Sequence, residues 1–160
     1  MGAAGGTPGL ATRIATVGGV GDLPVGPGTW GSAVGLGLGW LGAQAVGAPW
    51  SVILLTLTGL VGSRLCTRAE RELARHDPPS VVLDEVWAMA VVVMAPPQLA
   101  WDWPRLVVAF GLFRLFDITK PFPLPQMARW PAGVGVMADD LGAAVYTRLL
   151  LWLLMRYCGL

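Results

Sequence analysis

Residues 23–63 read LPVGPGTWGSAVGLGLGWLGAQAVGAPWSVILLTLTGLVGS, and this interval contains no charged side chain. A hydrocarbon layer of about 30 Å takes roughly 20 apolar residues per helix, so the interval is long enough to cross it twice. Residues 47–49, Gly-Ala-Pro, are a turn signal between the two arms. The first arm carries glycines four residues apart, a spacing that lets helix backbones approach closely in a membrane: Gly31, Gly35 and Gly39. The stretch therefore predicts a helical hairpin in lipid.

The composition of the whole chain supports a lipid environment. Hydrophobic residues make up 54% of the chain and charged residues 13%, with a mean hydropathy of +0.61, whereas about a quarter of a typical soluble domain is charged. The formal net charge is +1, and no basic stripe alternates with aromatic residues. Both observations argue against a nucleic-acid partner. The first ten residues lack the basic region of a signal peptide, so we expect no cleaved leader.

Three more apolar runs follow the hairpin. A polar amphipathic run ends at Asp77-Pro78-Pro79, where the prolines break the helix, and apolar runs then cover about residues 86–94 and 104–119. Residues 120–125 contain three prolines and predict an extended segment. A last helix is predicted from Asp139 or Asp140 to Tyr157. The predicted fold is all-α, a membrane bundle of about five apolar helices with short cytoplasmic helices and loops, in a single domain 1–160 whose residues 1–12 are flexible.

The basic residues predict the orientation of this bundle. They cluster before the first arm, after the second and after the fourth, and an even number of crossings brings all three groups to one side. By the positive-inside rule that side is cytoplasmic. Arg148 lies within the last helix, where a charge at mid-bilayer costs roughly 2.5–3.5 kcal/mol. That helix therefore lies in the interface, or Arg148 pairs with an acidic group.

The strongly acidic residues fall at this same face. Asp84 and Glu85 precede the third apolar run, Asp117 is near the end of the fourth, and Asp139 and Asp140 stand at the predicted start of the last helix. Such a cluster repels itself unless a cation lies within it, and oxygen ligands favour a hard ion such as Mg²⁺. The alternatives are helix capping by the second pair and a solvated helix start for the first.

Cationic and glycine-rich segments accompany the carboxylates. Arg114 and Lys120 suit a doubly charged phosphate group, although an intrahelical ion pair with Asp117 and a snorkelling lysine would explain the same spacing. Residues 26–32, Gly-Pro-Gly-Thr-Trp-Gly-Ser, could present backbone N–H groups to an anion before a helix, or could form an ordinary turn. His76 is the single histidine, and it is either an acid, a base or a phosphate contact, or a surface turn residue.

Four blocks in this order resemble the phosphatidylglycerophosphatase A family. They are GPGTWGS at 26–32, HD at 76–77 with SVVLDE at 80–85, FRLFDITKPFP at 113–123 and GVGVMADD at 133–140. The resemblance implies an all-helical fold, Mg²⁺ dependence, and hydrolysis of phosphatidylglycerophosphate to phosphatidylglycerol and phosphate. Two departures, Ala88 and Ala132, stand where the family pattern has glycine, and they put local helix packing in doubt.

The motif positions of the family include the histidine and the acidic and basic residues of these blocks, and we predict roles for them and for the glycine-rich segment. The metal ligands are Asp84, Glu85, Asp139 and Asp140; the catalytic residues are His76, Arg114, Asp117 and Lys120; the substrate-binding residues are Gly28, Thr29, Gly31 and Ser32. Water or a carboxylate could attack the phosphorus. The predicted partner is a membrane phospholipid, at the cytoplasmic face of a bacterial inner membrane. The alternatives are a phosphatase for another lipid or prenyl phosphate and a cation-binding transporter.

Overall fold

The computed structural model describes residues 9–95 and 99–159, and within these ranges it contains helices and no strand. The all-α prediction is therefore confirmed. The α-helices are α1 (Leu10–Ala15), α2 (Pro27–Ala45), α3 (Ala48–Glu72), α4 (Leu83–Met94), α5 (Trp103–Thr119), α6 (Leu124–Met127) and α7 (Gly133–Tyr157), with a 3-10 segment at Val17–Asp22. Residues 1–8 of the segment for which the sequence predicts flexibility, 1–12, lie outside the described part, and residues 10–12 belong to α1.

One helix of the described part is long and apolar enough to cross a membrane. This is α3, with 25 residues, in which the apolar hairpin arm and the following polar run form one continuous helix. The third predicted crossing, α4, has 12 residues, which at 1.5 Å per residue span about 18 Å of a layer about 30 Å thick. The structure thus confirms the apolar segments as helices but does not confirm a membrane bundle of five.

The glycine stripe of α2 packs directly on α4. A Cβ atom built at Gly35 would lie 2.8 Å from Val86 Cα, and one built at Gly39 would lie 3.0 Å from Ala90 Cα. Each step of four residues along α2 matches a step of four along α4, so the two helices run parallel with their backbones in contact. The close approach predicted from the spacing is confirmed, and only residues without a Cβ fit at these positions.

Helix α4 forms the centre of the molecule. Met89, Val92 and Val93 are fully buried, and they belong to one apolar cluster with Phe113 of α5 and Leu151 of α7. A helix enclosed by protein on most sides does not need the length of a membrane span. Its position carries its first turn, with the predicted ligands, to the end of the bundle where α5 finishes and α7 begins.

Two carbonyl groups near the end of α4 accept hydrogen bonds from side chains outside this helix. Arg148 Nη1 donates to Val92 O at 2.7 Å, and Trp101 Nε1 donates to Val93 O at 3.0 Å. The residues four positions further on are prolines 96–97, which have no N–H to close these helical hydrogen bonds. Arg148 thus lies within the bundle on a backbone carbonyl, a partner that the sequence did not suggest.

Two predicted boundaries are wrong. The segment after Lys120 is not extended. It turns at Phe122–Pro123 and then forms α6. Pro125 lies in the first turn of α6, where a helix makes no hydrogen bond to the N–H group that proline lacks. Helix α7 begins at Gly133, several residues before Asp139, and Gly133 N donates a hydrogen bond to Thr67 Oγ1 of α3 at 3.1 Å. Asp139 and Asp140 therefore lie inside the helix, which excludes the capping interpretation.

Candidate active site

Three carboxylates from two helices meet at one end of the bundle. Asp84 and Glu85 lie in the first turn of α4, and Asp140 lies in the second turn of α7. Each offers an oxygen within 4.8 Å of the other two. Asp84 and Asp140 are only 5% and 4% exposed, so these charges are held together away from bulk water.

The electrostatics of this carboxylate cluster are unfavourable without a cation. Burial raises the pKa of the Asp84 carboxyl well above its ordinary value, and the charges of Glu85 and Asp140 raise it further. Burial also raises the pKa of Glu85. A buried oxygen on each of the three residues has no hydrogen-bond partner within the described part of the chain. Unpartnered carboxylate oxygens in one place are the donor set of a hard divalent cation, so these residues fit Mg²⁺.

Arg114 reaches the cluster from α5. Its Nη1 lies 2.6 Å from Asp117 Oδ2 and 3.3 Å from Ser32 Oγ of α2, and both ends of the ion pair are largely buried. Ser32 in turn donates to Gly28 O at 2.8 Å. The intrahelical ion pair is present, but it also holds the guanidinium group against α2. Arg114 Nε is buried without a partner among the described residues, so a donor remains for another oxygen.

Lys120 pairs with Asp139 at the junction of α5 and α7. Burial alone would lower the pKa of Lys120, but the hydrogen bond and charge of Asp139, with further attraction from Asp140 and Asp117, raise it instead. Consecutive residues of a helix point about 100° apart, which explains why Asp139 faces Lys120 while Asp140 faces the cluster. The role of Asp139 as a metal ligand stays a prediction.

The glycine-rich segment forms the wall beside the cluster. A Cβ at Gly28 would overlap the Glu85 carboxylate and lie 3.2 Å from Arg114 Nη1. Gly31 packs on Val82, Ser32 is buried, and Thr29 is exposed. The structure thus brings Gly28 and Ser32 to the site, whereas Gly31 supports helix packing.

The backbone of this segment offers fewer N–H donors than predicted. Helix α2 begins at Pro27, which has no N–H, after Gly26 in the left-handed conformation with φ 60°. The N–H groups of Thr29 and Trp30 donate to Gly26 O at 2.9 and 3.2 Å. An anion here would therefore depend on side chains as well as on the helix end.

His76 lies in the turn after α3, where it pairs with Glu70. Its Nδ1 is 2.9 Å from Glu70 Oε1, and its side chain is 59% exposed. Glu70 is buried and also accepts from Asp77 N at 3.0 Å. No motif singled out Glu70 within the charged run of α3. A catalytic role for His76 stays a prediction.

A family model and two relatives point to the same family. A family model described as Phosphatidylglycerophosphatase A matches residues 13–155. A Haemophilus influenzae protein named Phosphatidylglycerophosphatase A is 40% identical over 121 residues, which cover 75% of this chain and 73% of that protein. The Escherichia coli protein of the same name is 33% identical over 134 residues, covering 79% and 73%.

A third relative carries a different name. A Bacteroides thetaiotaomicron protein, provisionally named a phosphatidylinositol-3-phosphatase, is 34% identical over 149 residues, which cover 89% of this chain and 91% of that protein. No solved structure gives a significant match to the chain.

Proposed function

The chain belongs to the phosphatidylglycerophosphatase A family, whose members are phosphoric monoester hydrolases, and we propose that it hydrolyses phosphatidylglycerophosphate to phosphatidylglycerol and phosphate. The observation that carries the proposal is the cluster of Asp84, Glu85 and Asp140 with unpartnered buried oxygens, next to Arg114. A metal site beside a guanidinium group is suited to a phosphate with two negative charges.

Asp84, Glu85 and Asp140 would hold Mg²⁺, which when bound would polarise the phosphate and offset its charge. Arg114 would donate to phosphate oxygens, and Asp117 and Ser32 would fix the plane of its guanidinium group. Lys120, oriented by Asp139, would add positive charge at the edge of the site. The attacking group is water or a carboxylate of the cluster.

The apolar surface of the molecule supports a lipid substrate. Family membership and the apolar helix α3 indicate membrane association, and α2, α3 and α7 expose many large apolar side chains, a surface suited to lipid: Leu38, Leu41, Ile53, Leu57, Leu149 and Trp152. We propose that α2, α3, α4, α5 and α7 are embedded in the bacterial inner membrane beyond their site-bearing turns, with the site facing the cytoplasm. The acyl chains then stay in lipid while the head group reaches the carboxylates.

The test is phosphate release from phosphatidylglycerophosphate by the purified protein, with and without a chelator. We expect activity that is lost on chelation and restored by Mg²⁺, and a loss of about 100-fold or more in Asp84→Asn, since the developing charge loses a major stabilising interaction. Asp102→Asn is the matched control, because Asp102 caps α5 and asparagine caps equally well. Full activity in both the chelated sample and Asp84→Asn would refute the metal site.

The second candidate is a phosphatase for another lipid phosphate, which the name of the Bacteroides thetaiotaomicron relative favours. Assays on phosphatidylinositol 3-phosphate and prenyl phosphates beside phosphatidylglycerophosphate separate the two. A higher kcat/KM on any of these competitors would replace the proposed substrate. A cation transporter has less support, because the carboxylates lie near helix ends rather than halfway along them.

A further inference from the structure

A groove runs along α4 between α2 and α3. Helix α4 forms its floor, and the two other helices form its walls, with Leu38 and Gly42 on one side and Leu54, Thr58 and Gly62 on the other. Its volume is about 350 Å³, within the range of small-molecule binding sites, roughly 300–1,000 Å³. We call it the α2–α3 groove.

One end of the α2–α3 groove lies at the active site. Leu83, which lines that end, directly precedes Asp84, and a Cβ at Gly62 would lie 3.2 Å from Met137 Cε, in the turn of α7 before Asp140. The other end is lined by Met94. At 1.5 Å per residue the distance from Leu83 to Met94 is about 16 Å, which is close to half of a hydrocarbon core of about 30 Å, the depth of one leaflet.

The groove presents an apolar lining along this length. The two groups that could have made it polar are already bonded: Trp87 Nε1 donates to Leu55 O at 3.0 Å, and Thr58 Oγ1 donates to Leu54 O at 2.7 Å. A polar head group or a peptide would find no partner there, whereas an alkyl chain needs none.

We propose that the α2–α3 groove binds one acyl chain of the phospholipid substrate and thereby sets the position of its phosphate at the carboxylate cluster. This proposal rests on the proposed function. A chain that leaves the bilayer for the groove exchanges one apolar environment for another, so the groove adds little affinity. Its effect is positional: a chain held along α4 fixes where the head group stands, and small misplacements of a reacting group reduce the rate strongly.

The test compares two adjacent residues of α3, one that lines the groove and one that does not. Leu54 lines its distal half and is 42% exposed, whereas Ile53 lies outside the lining and is 49% exposed. Leu54→Trp would obstruct the distal half, and Ile53→Trp adds the same bulk elsewhere. Both variants and the wild type are assayed in mixed micelles on dioleoyl and dihexanoyl phosphatidylglycerophosphate.

We expect Leu54→Trp to lower kcat/KM for the dioleoyl substrate by about tenfold while the value for the dihexanoyl substrate stays within about twofold. Ile53→Trp should leave the ratio of the two values unchanged. An unchanged ratio in Leu54→Trp overturns the groove proposal. If the oligomeric state changes at the same time, a second copy of the chain occupies the groove instead of an acyl chain.

A second variant covers the case in which Leu54→Trp does not fold. Leu38→Trp obstructs the groove from α2 at a side chain that is 55% exposed, so the added bulk has room. Loss of activity on both substrates in both variants overturns the proposal. A wild type that releases phosphate from neither substrate refutes the proposed function instead, and that result is separate from any change in chain-length preference.

Discussion

Gly28 lies against Glu85 so closely that a Cβ atom at residue 28 would overlap the Glu85 carboxylate. This contact joins the first turn of α2 to the first turn of α4. It explains why the glycine-rich segment accompanies the acidic pair in the site although the two are far apart in the sequence. The absence of a side chain at residue 28 leaves room for the conformation of Glu85 that brings it to Asp84 and Asp140.

Gly28→Ala should therefore lower activity by about tenfold or more, because the added methyl group displaces a ligand from the cluster. Phosphate release and Mg²⁺ titration by calorimetry measure the effect. Gly37→Ala is the matched control, since a Cβ there meets no atom within 4 Å. It should keep full activity and gain about 0.5–1 kcal/mol of stability from helix propensity. Equal activity in the two variants would contradict the contact.

Asp140→Asn and Asp139→Asn should differ in their response to Mg²⁺. A bound cation stabilises the wild type by about 2.7 kcal/mol at a concentration of 100 Kd. Asp140 belongs to the carboxylate cluster, so Asp140→Asn should lose this stabilisation, whereas Asp139 faces Lys120 and Asp139→Asn should keep most of it. Thermal unfolding in detergent over a Mg²⁺ series measures both. Equal losses would make Asp139 a ligand as well.

Neutralising Asp84 should stabilise the protein in the absence of metal. Because the pKa of Asp84 is raised in the fold, ionisation at neutral pH disfavours the folded state, and this destabilisation grows as pH rises above the unfolded value of about 3.9. In chelator at neutral pH, Asp84→Asn should therefore unfold at a higher temperature than the wild type, and the gap should narrow toward acid pH. A lower unfolding temperature throughout would show that the carboxylate is not strained by its neighbours.

Lys120 should stabilise the fold at neutral pH and into alkaline pH. Its pKa is raised in the folded state, so its contribution is fully present below the unfolded pKa, about 10.4, and is lost only as pH rises through the folded pKa. Lys120→Met should lower stability by about 1–3 kcal/mol, less than for a fully buried pair, because Lys120 is 35% exposed. Unfolding of both proteins from neutral to alkaline pH tests this. A difference that vanishes by neutral pH would contradict the pairing.

Ala132→Gly should stabilise the protein. Ala132 precedes α7 with φ 57° and ψ −160°. This conformation is essentially restricted to glycine and costs any other residue about 1–3 kcal/mol. Relief of this strain outweighs the added entropy of the unfolded chain, so the unfolding temperature should rise by about 2–4 °C per kcal/mol gained. Ala128→Gly is the control: its φ of −57° suits alanine, and the change should be neutral or destabilising.

Local signals were sufficient to predict most of the helices. The uncharged interval and the turn at residues 47–49 predicted α2 and α3, and the glycines at a spacing of four predicted a close helix approach, because backbone sterics and helix periodicity act over a few residues. The sequence did not show that the partner of this glycine stripe is α4. The proline at residue 104 lies in the first turn of α5, close to where the apolar run predicted a helix to begin. The order of apolar and charged residues also predicted that Asp84 and Glu85 begin one helix and that Asp117 lies near the end of the next.

Contacts between distant residues decided the rest. The start of α7 at Gly133 lies against Thr67 of another helix, and whether Asp139 or Asp140 faces the cluster depends on the rotation of α7 against Lys120. The sequence by itself determined which residues carry charge and where the long apolar helices lie. Only the tertiary structure decided which charges meet, because a helix places consecutive side chains about 100° apart and neighbouring helices set its rotation.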